Sequence, residues 1–261
     1  MQVASIQLEI PPGETKEERV ERAAQLVEAQ VGADLVLLPE IWNVGYFNFD
    51  DYAAQAETLD GPTVSRMADA ARRSGAWVLG GSIVERDGDR LHNTAVLLDR
   101  SGAIAGTYRK IHLFGYGSRE PEVLTSGDEP AVVETEFGRV GISTCYDLRF
   151  PELYRAMLDR GAGMFLVPSA WPHPRVEAWA ILNRARALEN QVWLISANCA
   201  GGSGAGFCGR SMIVDPWGTP VAAAGFQPTI LSADIDPAMV QRVRREFRQL
   251  DDRVLGRDRS R

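Results

Sequence analysis

The chain has 261 residues, 45% hydrophobic and 24% charged, a mixture that suits a large packed core and excludes disorder, a collagen-like repeat or a coiled coil. With 28 basic against 35 acidic residues its formal charge is −7, and no basic stripe offers a nucleic acid a binding face. Three cysteines (Cys145, Cys199, Cys208) without CxxC spacing and three scattered histidines (His92, His112, His173) without an HExxH pair argue against a disulfide framework and a metal site.

Residues 1–10 carry no basic n-region, so no signal peptide is expected and a cytoplasmic location follows. Residues 3–9 read as a strand, and 15–31 as a helix with Val20, Ala23, Ala24, Val27 and Val31 on one stripe. Leu35-Val36-Leu37-Leu38 is a continuous aliphatic strand ending in Pro39-Glu40; as the longest aliphatic run it falls far short of the ~20 residues a membrane helix needs. Residues 63–74 read as a helix and 76–84 as a strand. The strand 93–98 closes in the turn Asp99-Arg100-Ser101-Gly102, with 104–110 as its hairpin partner. A strand over 139–144, a helix over 151–160 that opens on Pro151, and a strand over 164–167 follow. The longest helix of the second half spans 176–191, before strands at 192–197, 211–214 and 230–235.

This alternation predicts a layered α/β architecture, with apolar sheets covered by helices. No linker divides the chain, so 1–261 reads as one domain, with 251–261 as a tail of four Arg and three Asp that is solvated or packs on a partner chain. No repeat indicates a solenoid.

Three polar residues stand at the ends of apolar elements. Cys145 lies between a strand and the helix near Pro151, a corner where helix N–H groups favour a displayed thiolate, although a cysteine there is equally a small buried hydrophobe. Glu40 directly follows a buried strand, where an acid is costly unless paired; the plainer reading is an exposed loop acid. Lys110 stands at the edge of a strand pair, where a solvated lysine is the plain alternative. Together they supply a nucleophile, a base that later acts as an acid, and a cation for an anionic intermediate.

The segments Leu37-Leu38-Pro39-Glu40, Tyr108-Arg109-Lys110-Ile111-His112-Leu113-Phe114 and Cys145-Tyr146-Asp147-Leu148-Arg149-Phe150-Pro151-Glu152 resemble, in this order, the three signature blocks of the nitrilase superfamily of carbon–nitrogen hydrolases. Residues 184–191 and Ile213-Val214-Asp215-Pro216-Trp217-Gly218 extend the likeness over nearly the whole chain. The resemblance implies a four-layer αββα sandwich that pairs into an αββααββα dimer and needs no cofactor. It implies Glu40 as general base and acid, Lys110 as oxyanion stabiliser, Cys145 as nucleophile and the Tyr146 N–H as a second oxyanion donor. A second acid, holding Lys110 and the substrate, falls on Glu120.

Among the members, the stretch Ser169-Ala170-Trp171-Pro172-His173-Pro174-Arg175 followed by Trp179 is most similar to ω-amidases acting on 2-oxoglutaramate. A short-chain aliphatic amidase, an N-carbamoyl amino acid hydrolase and a non-catalytic interaction protein on the same scaffold remain alternatives. Trp171 and Arg175 are the expected substrate-binding residues. A monoamide of a dicarboxylic acid must be held by its charged end, and on a net-negative protein that requires a local cation. Arginine meets a carboxylate with two parallel hydrogen bonds; the plain alternative is a rim arginine paired with Glu177 or water.

Other features point elsewhere. Gly204-Ala205-Gly206-Phe207-Cys208-Gly209 spells GxGxxG, but a β-type segment follows it, so no dinucleotide meets a helix N-terminus there. No GxSxG elbow is present. A Cys–His hydrolase with His173 as base stays open, and Cys199 and Cys208 read as structural.

Overall fold

Strand β1 (Gln2–Gln7) alternates its side chains between two cores: Ala4 and Ile6 pack with one apolar cluster, Val3 with another. This computed structural model describes residues 1–201 and 206–255. Helix α1 (Lys16–Glu28) starts at a capping box, the Thr15 hydroxyl accepting from the Glu18 N–H and the Glu18 carboxylate from the Thr15 N–H. It ends earlier than the apolar stripe suggests, because Gly32 turns the chain at φ +89° and leaves Val31 82% exposed.

Next come β2 (Leu35–Leu37), the short α2 (Tyr52–Gln55), α3 (Pro62–Ser74), β3 (Trp77–Asp87), β4 (Arg90–Leu98), β5 (Ile104–Arg109) and the single turn α4 (Glu120–Val123). The second half runs β6 (Ala131–Thr135), β7 (Gly138–Ile142), α5 (Pro151–Asp159), β8 (Met164–Ser169), α6 (Val176–Asn190) and β9 (Trp193–Asn198). It closes with β10 (Ala200–Gly201), β11 (Phe207–Cys208), β12 (Met212–Val214), β13 (Pro220–Ala223), β14 (Thr229–Asp234) and α7 (Met239–Glu246).

Two six-stranded sheets result, in the orders β14-β1-β2-β3-β4-β5 and β13-β12-β9-β8-β7-β6. Val20, Ala23 and Val27 of α1 and Val64, Met67 and Ala71 of α3 cover the outer face of the first sheet. Leu153 and Met157 of α5 and Ala187 of α6 share a core with Val140, Ile142, Phe165 and Ile195 of the second. That core also takes in Leu35, Leu37, Leu79 and Leu97 of the first sheet, so the sheets face each other and the expected αββα sandwich is formed. The Ser5 hydroxyl ties the sheets together, donating to the Ser196 carbonyl at 2.8 Å.

The sequence reading passes over β6, β13 and α7. The two strands are sheet edges whose residues are all at least half-exposed or intermediate, so neither shows the apolar run of a central strand. Among the described residues no helix is long and apolar enough to cross a membrane. The tail lies within them only to residue 255, where Arg253 pairs with Asp159; 256–261 lie outside.

Candidate active site

Parallel strands β2 of one sheet and β7, β8 and β9 of the other direct their carboxyl ends to the same edge of the sandwich. Glu40 follows β2, Cys145 follows β7 and Ala170 follows β8, the strand ends at which α/β folds commonly assemble sites. The corner bearing Glu40 is pressed against β3: a Cβ on Gly81, which sits at φ +70°, would come within 1.9 Å of the Pro39 carbonyl. The Ser82 N–H donates to that carbonyl and the Ser82 hydroxyl accepts from the Ile41 N–H, which fixes the corner although Ile41 itself is held at φ +40°.

Glu40, Lys110 and Glu120 are each fully buried and joined. Lys110 Nζ donates to Glu40 Oε1 at 2.8 Å and to Glu120 Oε1 and Oε2 at 2.9 and 3.0 Å. Glu120 also accepts from the Tyr46 hydroxyl at 3.1 Å and from the Phe114 N–H at 2.7 Å. Glu40 Oε1 takes a second donor, Asn93 Nδ2, Glu40 Oε2 accepts from the Ala170 N–H at 2.9 Å, and the carboxyl group lies within hydrogen-bonding reach of the Cys145 thiol. Neither plain reading survives: Glu40 is no exposed loop acid and Lys110 no solvated lysine.

The charges follow from this packing. Burial raises the Glu40 carboxyl above its ordinary range, and the Glu120 charge adds to the rise while Lys110 opposes it. Burial works against the Lys110 cation, but Glu120 and Glu40 outweigh it and hold its pKa well above the usual lysine value. Burial also pushes the Cys145 thiol well up, and the Glu40 charge pushes the same way. This corrects the expectation of a displayed thiolate favoured by helix N–H groups. Cys145 is 6% exposed at φ +49° in a 3-10 turn, Cys145–Arg149, and α5 begins only at Pro151. With Lys110 and Asn93 donating to Oε1 and Ala170 to Oε2, the lone pair left open for a proton is on Oε2.

Above Cys145 opens a narrow pocket lined by Tyr46, Phe47, Phe114, Tyr146, Arg149, Ala170, Trp171, Pro172 and Arg175. The expected Tyr146, Trp171 and Arg175 are therefore all at its wall. Trp171 is buried and fixed at both ends, its N–H donating to Asn198 Oδ1 at 2.7 Å and its Nε1 to the Arg175 carbonyl at 2.8 Å. The Arg175 guanidinium lies over the Phe114 ring (5.0 Å) and the Tyr116 ring (5.3 Å), and that of Arg149 over Trp171 (5.1 Å). Among the described residues no carboxylate pairs with either arginine, Glu177 included.

Sequence reasoning missed Arg149, Asn93 and the Tyr46–Phe47 wall; Arg149 stood in a quoted block as an arginine with no assigned acid. His173 is exposed with its ring against Phe226, and no hydrogen bond joins it to Cys145 among the described residues. Of the glycine-rich segment, Gly204 and Ala205 lie outside the described residues; Phe207 and Cys208 form β11, and the strand β12 follows. Cys199 and Cys208 are buried and do not line the pocket, although the Cys199 thiol contacts the Glu40 carbonyl at 3.8 Å. Among the described residues no group of three His, Cys, Asp or Glu side chains is placed to hold a metal ion.

Comparison with known proteins agrees with this arrangement. A 2-oxoglutaramate amidase from Paenarthrobacter nicotinovorans is 36% identical over 97% of this chain and 89% of its own length. An omega-amidase from Xenopus tropicalis is 37% identical over 89% of this chain and 88% of its own. A solved amidase from Nesterenkonia sp. AN1, with acrylamide added to its active-site cysteine, superposes with a TM-score of 0.83 at 29% identity, covering 96% of this chain and 99% of that one. The family model described as carbon–nitrogen hydrolase matches residues 2–245, and the chain is a member of that family of enzymes.

Proposed function

We propose that the protein is an ω-amidase that hydrolyses the carboxamide of 2-oxoglutaramate to 2-oxoglutarate and ammonia through a thioester on Cys145. The observation that carries this reading is the pairing of a buried Cys145–Glu40–Lys110–Glu120 cluster with a pocket lined by two arginines that have no acidic partner among the described residues. The name of the Paenarthrobacter relative, a 2-oxoglutaramate amidase, supports the same substrate, and that of the Xenopus relative, an omega-amidase, the same class of enzyme.

Glu40 takes the thiol proton on Oε2 as Sγ attacks the amide carbonyl. With one Lys110 N–H on Glu40 Oε1 and one shared between the two Glu120 oxygens, the third, with the N–H of Tyr146, meets the oxyanion. Protonated Glu40, whose proton affinity burial has raised, hands the proton to the departing ammonia. Water then enters, Glu40 removes its proton as the oxygen adds to the thioester carbonyl, and collapse expels Sγ, which takes the proton back from Glu40 as the product acid leaves. Arg175, with Arg149 lining the same pocket, receives the distal carboxylate. No metal or cofactor takes part in this sequence.

The chain acts as a single domain and as a homodimer. Ile181 and Leu188 on the outer face of α6, and the stacked Trp217 and Phe247, leave an exposed apolar surface that a second copy would cover. A cysteine nucleophile with two further free thiols fits a reducing, cytoplasmic compartment.

The aromatic walls Phe47, Phe114 and Trp171 favour a second reading, an uncharged short-chain amide as substrate; an N-carbamoyl amino acid is a third candidate. Ammonia release from 2-oxoglutaramate, butyramide, an N-carbamoyl amino acid and an aliphatic nitrile tests all of them. We expect kcat/KM for 2-oxoglutaramate to exceed the others by at least about a hundredfold, two pairing interactions of roughly 1.5 kcal/mol each. Preference for butyramide would remove the ω-amidase reading and leave the amidase chemistry.

A further inference from the structure

Asn93 sits fully buried on β4, against both acids that hold Lys110. Its Nδ2 donates to Glu40 Oε1 at 2.8 Å and to Glu120 Oε1 at 3.0 Å. Its backbone carbonyl accepts from the Lys110 N–H at 2.8 Å, so one residue touches every member of the trio. The orientation of the amide is set by chemistry, since the reverse rotamer would turn Oδ1 against two carboxylates. Oδ1 has no partner among the described residues, so the two acids alone hold the amide in place.

Lys110 and Asn93 thus grip the same two carboxylates, one with a charge and one without. A second cation would neutralise the cluster and weaken Glu40 as a base. A primary amide offers two donors and leaves the charge alone. We propose that Asn93 is a positioning residue for the hydrolysis: by donating to Oε1 of both acids it keeps Oε2 of Glu40 aimed at Cys145 Sγ and holds the acids at the separation Lys110 bridges. The proposal rests on the reading of Glu40 as the base.

Among the described residues Lys110 after β5, Glu120 on α4 and Cys145 after β7 act on Glu40, and Cys199 after β9, Tyr46 after β2 and Tyr52 on α2 feel its charge; Lys110 is the one cation of this group. A donor to a carboxylate favours the ionised form, so losing Asn93 makes Glu40 hold its proton to higher pH. The acid limb of the activity profile then moves up, whereas a merely structural loss lowers the whole profile in place.

The test uses the full-length protein and three substitutions: Asn93→Leu, similar in volume without a donor; Asn93→Asp, which puts a third acid in place of the donor; and Asn93→Ser, the smallest change, which leaves one donor. The pH dependence of Cys145 alkylation by iodoacetamide, followed by intact mass, is measured beside kcat/KM for 2-oxoglutaramate. We expect about a tenfold loss at neutral pH for Asn93→Leu with the acid limb about one unit higher, a larger shift for Asn93→Asp and a smaller one for Asn93→Ser. Lower amplitude with an unmoved limb in all three, or wild-type behaviour, overturns the proposal. Alkylation of Glu40→Gln with the wild-type profile removes the base assignment and the proposal with it. A shifted alkylation profile in a protein inactive on 2-oxoglutaramate sustains Asn93 and defeats the substrate reading alone.

Discussion

The Asp147 carboxylate and the His112 ring are joined at 2.7 Å between Nδ1 and Oδ1, and this contact links the segment that carries Lys110 to the turn that carries Cys145. Asp147 also accepts from the His112 N–H (3.1 Å), the Tyr108 hydroxyl (2.7 Å) and the Thr144 N–H (2.9 Å). His112 stacks flat on Phe150, with ring centres 3.7 Å apart. The residues on either side of Lys110 are therefore pinned to those on either side of Cys145, and the pin lies behind the pocket. Asp147→Ala would strand several buried donors at a cost of about 3 kcal/mol, lowering Tm by roughly 5–10 °C for a chain of this length. Asp147→Asn keeps the shape and part of the acceptance, so its loss should be smaller. Differential scanning fluorimetry orders the variants, and equal melting for all three proteins contradicts a brace.

Replacing Cys145 with Ala or Ser should abolish turnover and leave the melting temperature nearly unchanged, since each change is small. A hydroxyl in this setting is a far weaker nucleophile than a base-assisted thiol. Ammonia release assays decide the point, and normal turnover by Cys145→Ala would rule out the thioester.

Lys110→Met should cost at least about a hundredfold in kcat, the scale of a lost oxyanion donor. The burial of Glu40 and Glu120 adds a second expectation. Without the cation two acids face each other away from water, so the variant should also lose roughly 3–5 kcal/mol of stability. Chemical denaturation checks this, and an unperturbed midpoint would mean that the acids take up protons without strain.

Arg175→Ala should raise KM for 2-oxoglutaramate about ten- to a hundredfold, the value of a charge-assisted pair, and leave butyramide little affected. Arg149→Ala should act in the same direction. Steady-state kinetics on both substrates separate charge recognition from damage to the pocket. Equal losses on the two amides would remove the arginines from carboxylate binding.

Much of the cluster was legible along the chain because its members end apolar strands inside recognisable blocks: Glu40 after Leu35–Leu37, Lys110 after Ile104–Arg109, Cys145 after Gly138–Ile142. Glu120 follows from the family resemblance alone and reaches Lys110 through a loop no periodicity describes. Asn93 escaped notice because a lone asparagine entering a strand has no local signature; its meaning comes from Glu40, which the sheet brings from 53 residues away. Arg149 was passed over because an arginine without an acid becomes visible only once its neighbours are known. The protonation of Cys145 was misjudged for a related reason, as its corner is local information and the burial that outweighs it comes from the whole sandwich.

The raised proton affinity of Cys145 also bears on how the protein survives between turnovers. Peroxides and disulfides attack thiolates, and at neutral pH this sulfur spends nearly all its time as a thiol under a narrow aromatic mouth. In the proposed mechanism only a substrate carbonyl placed between Sγ and Lys110 makes transfer of the proton to Glu40 worthwhile. The nucleophile would then be produced on demand, and an idle enzyme should outlast an exposed low-pKa cysteine under oxidative challenge.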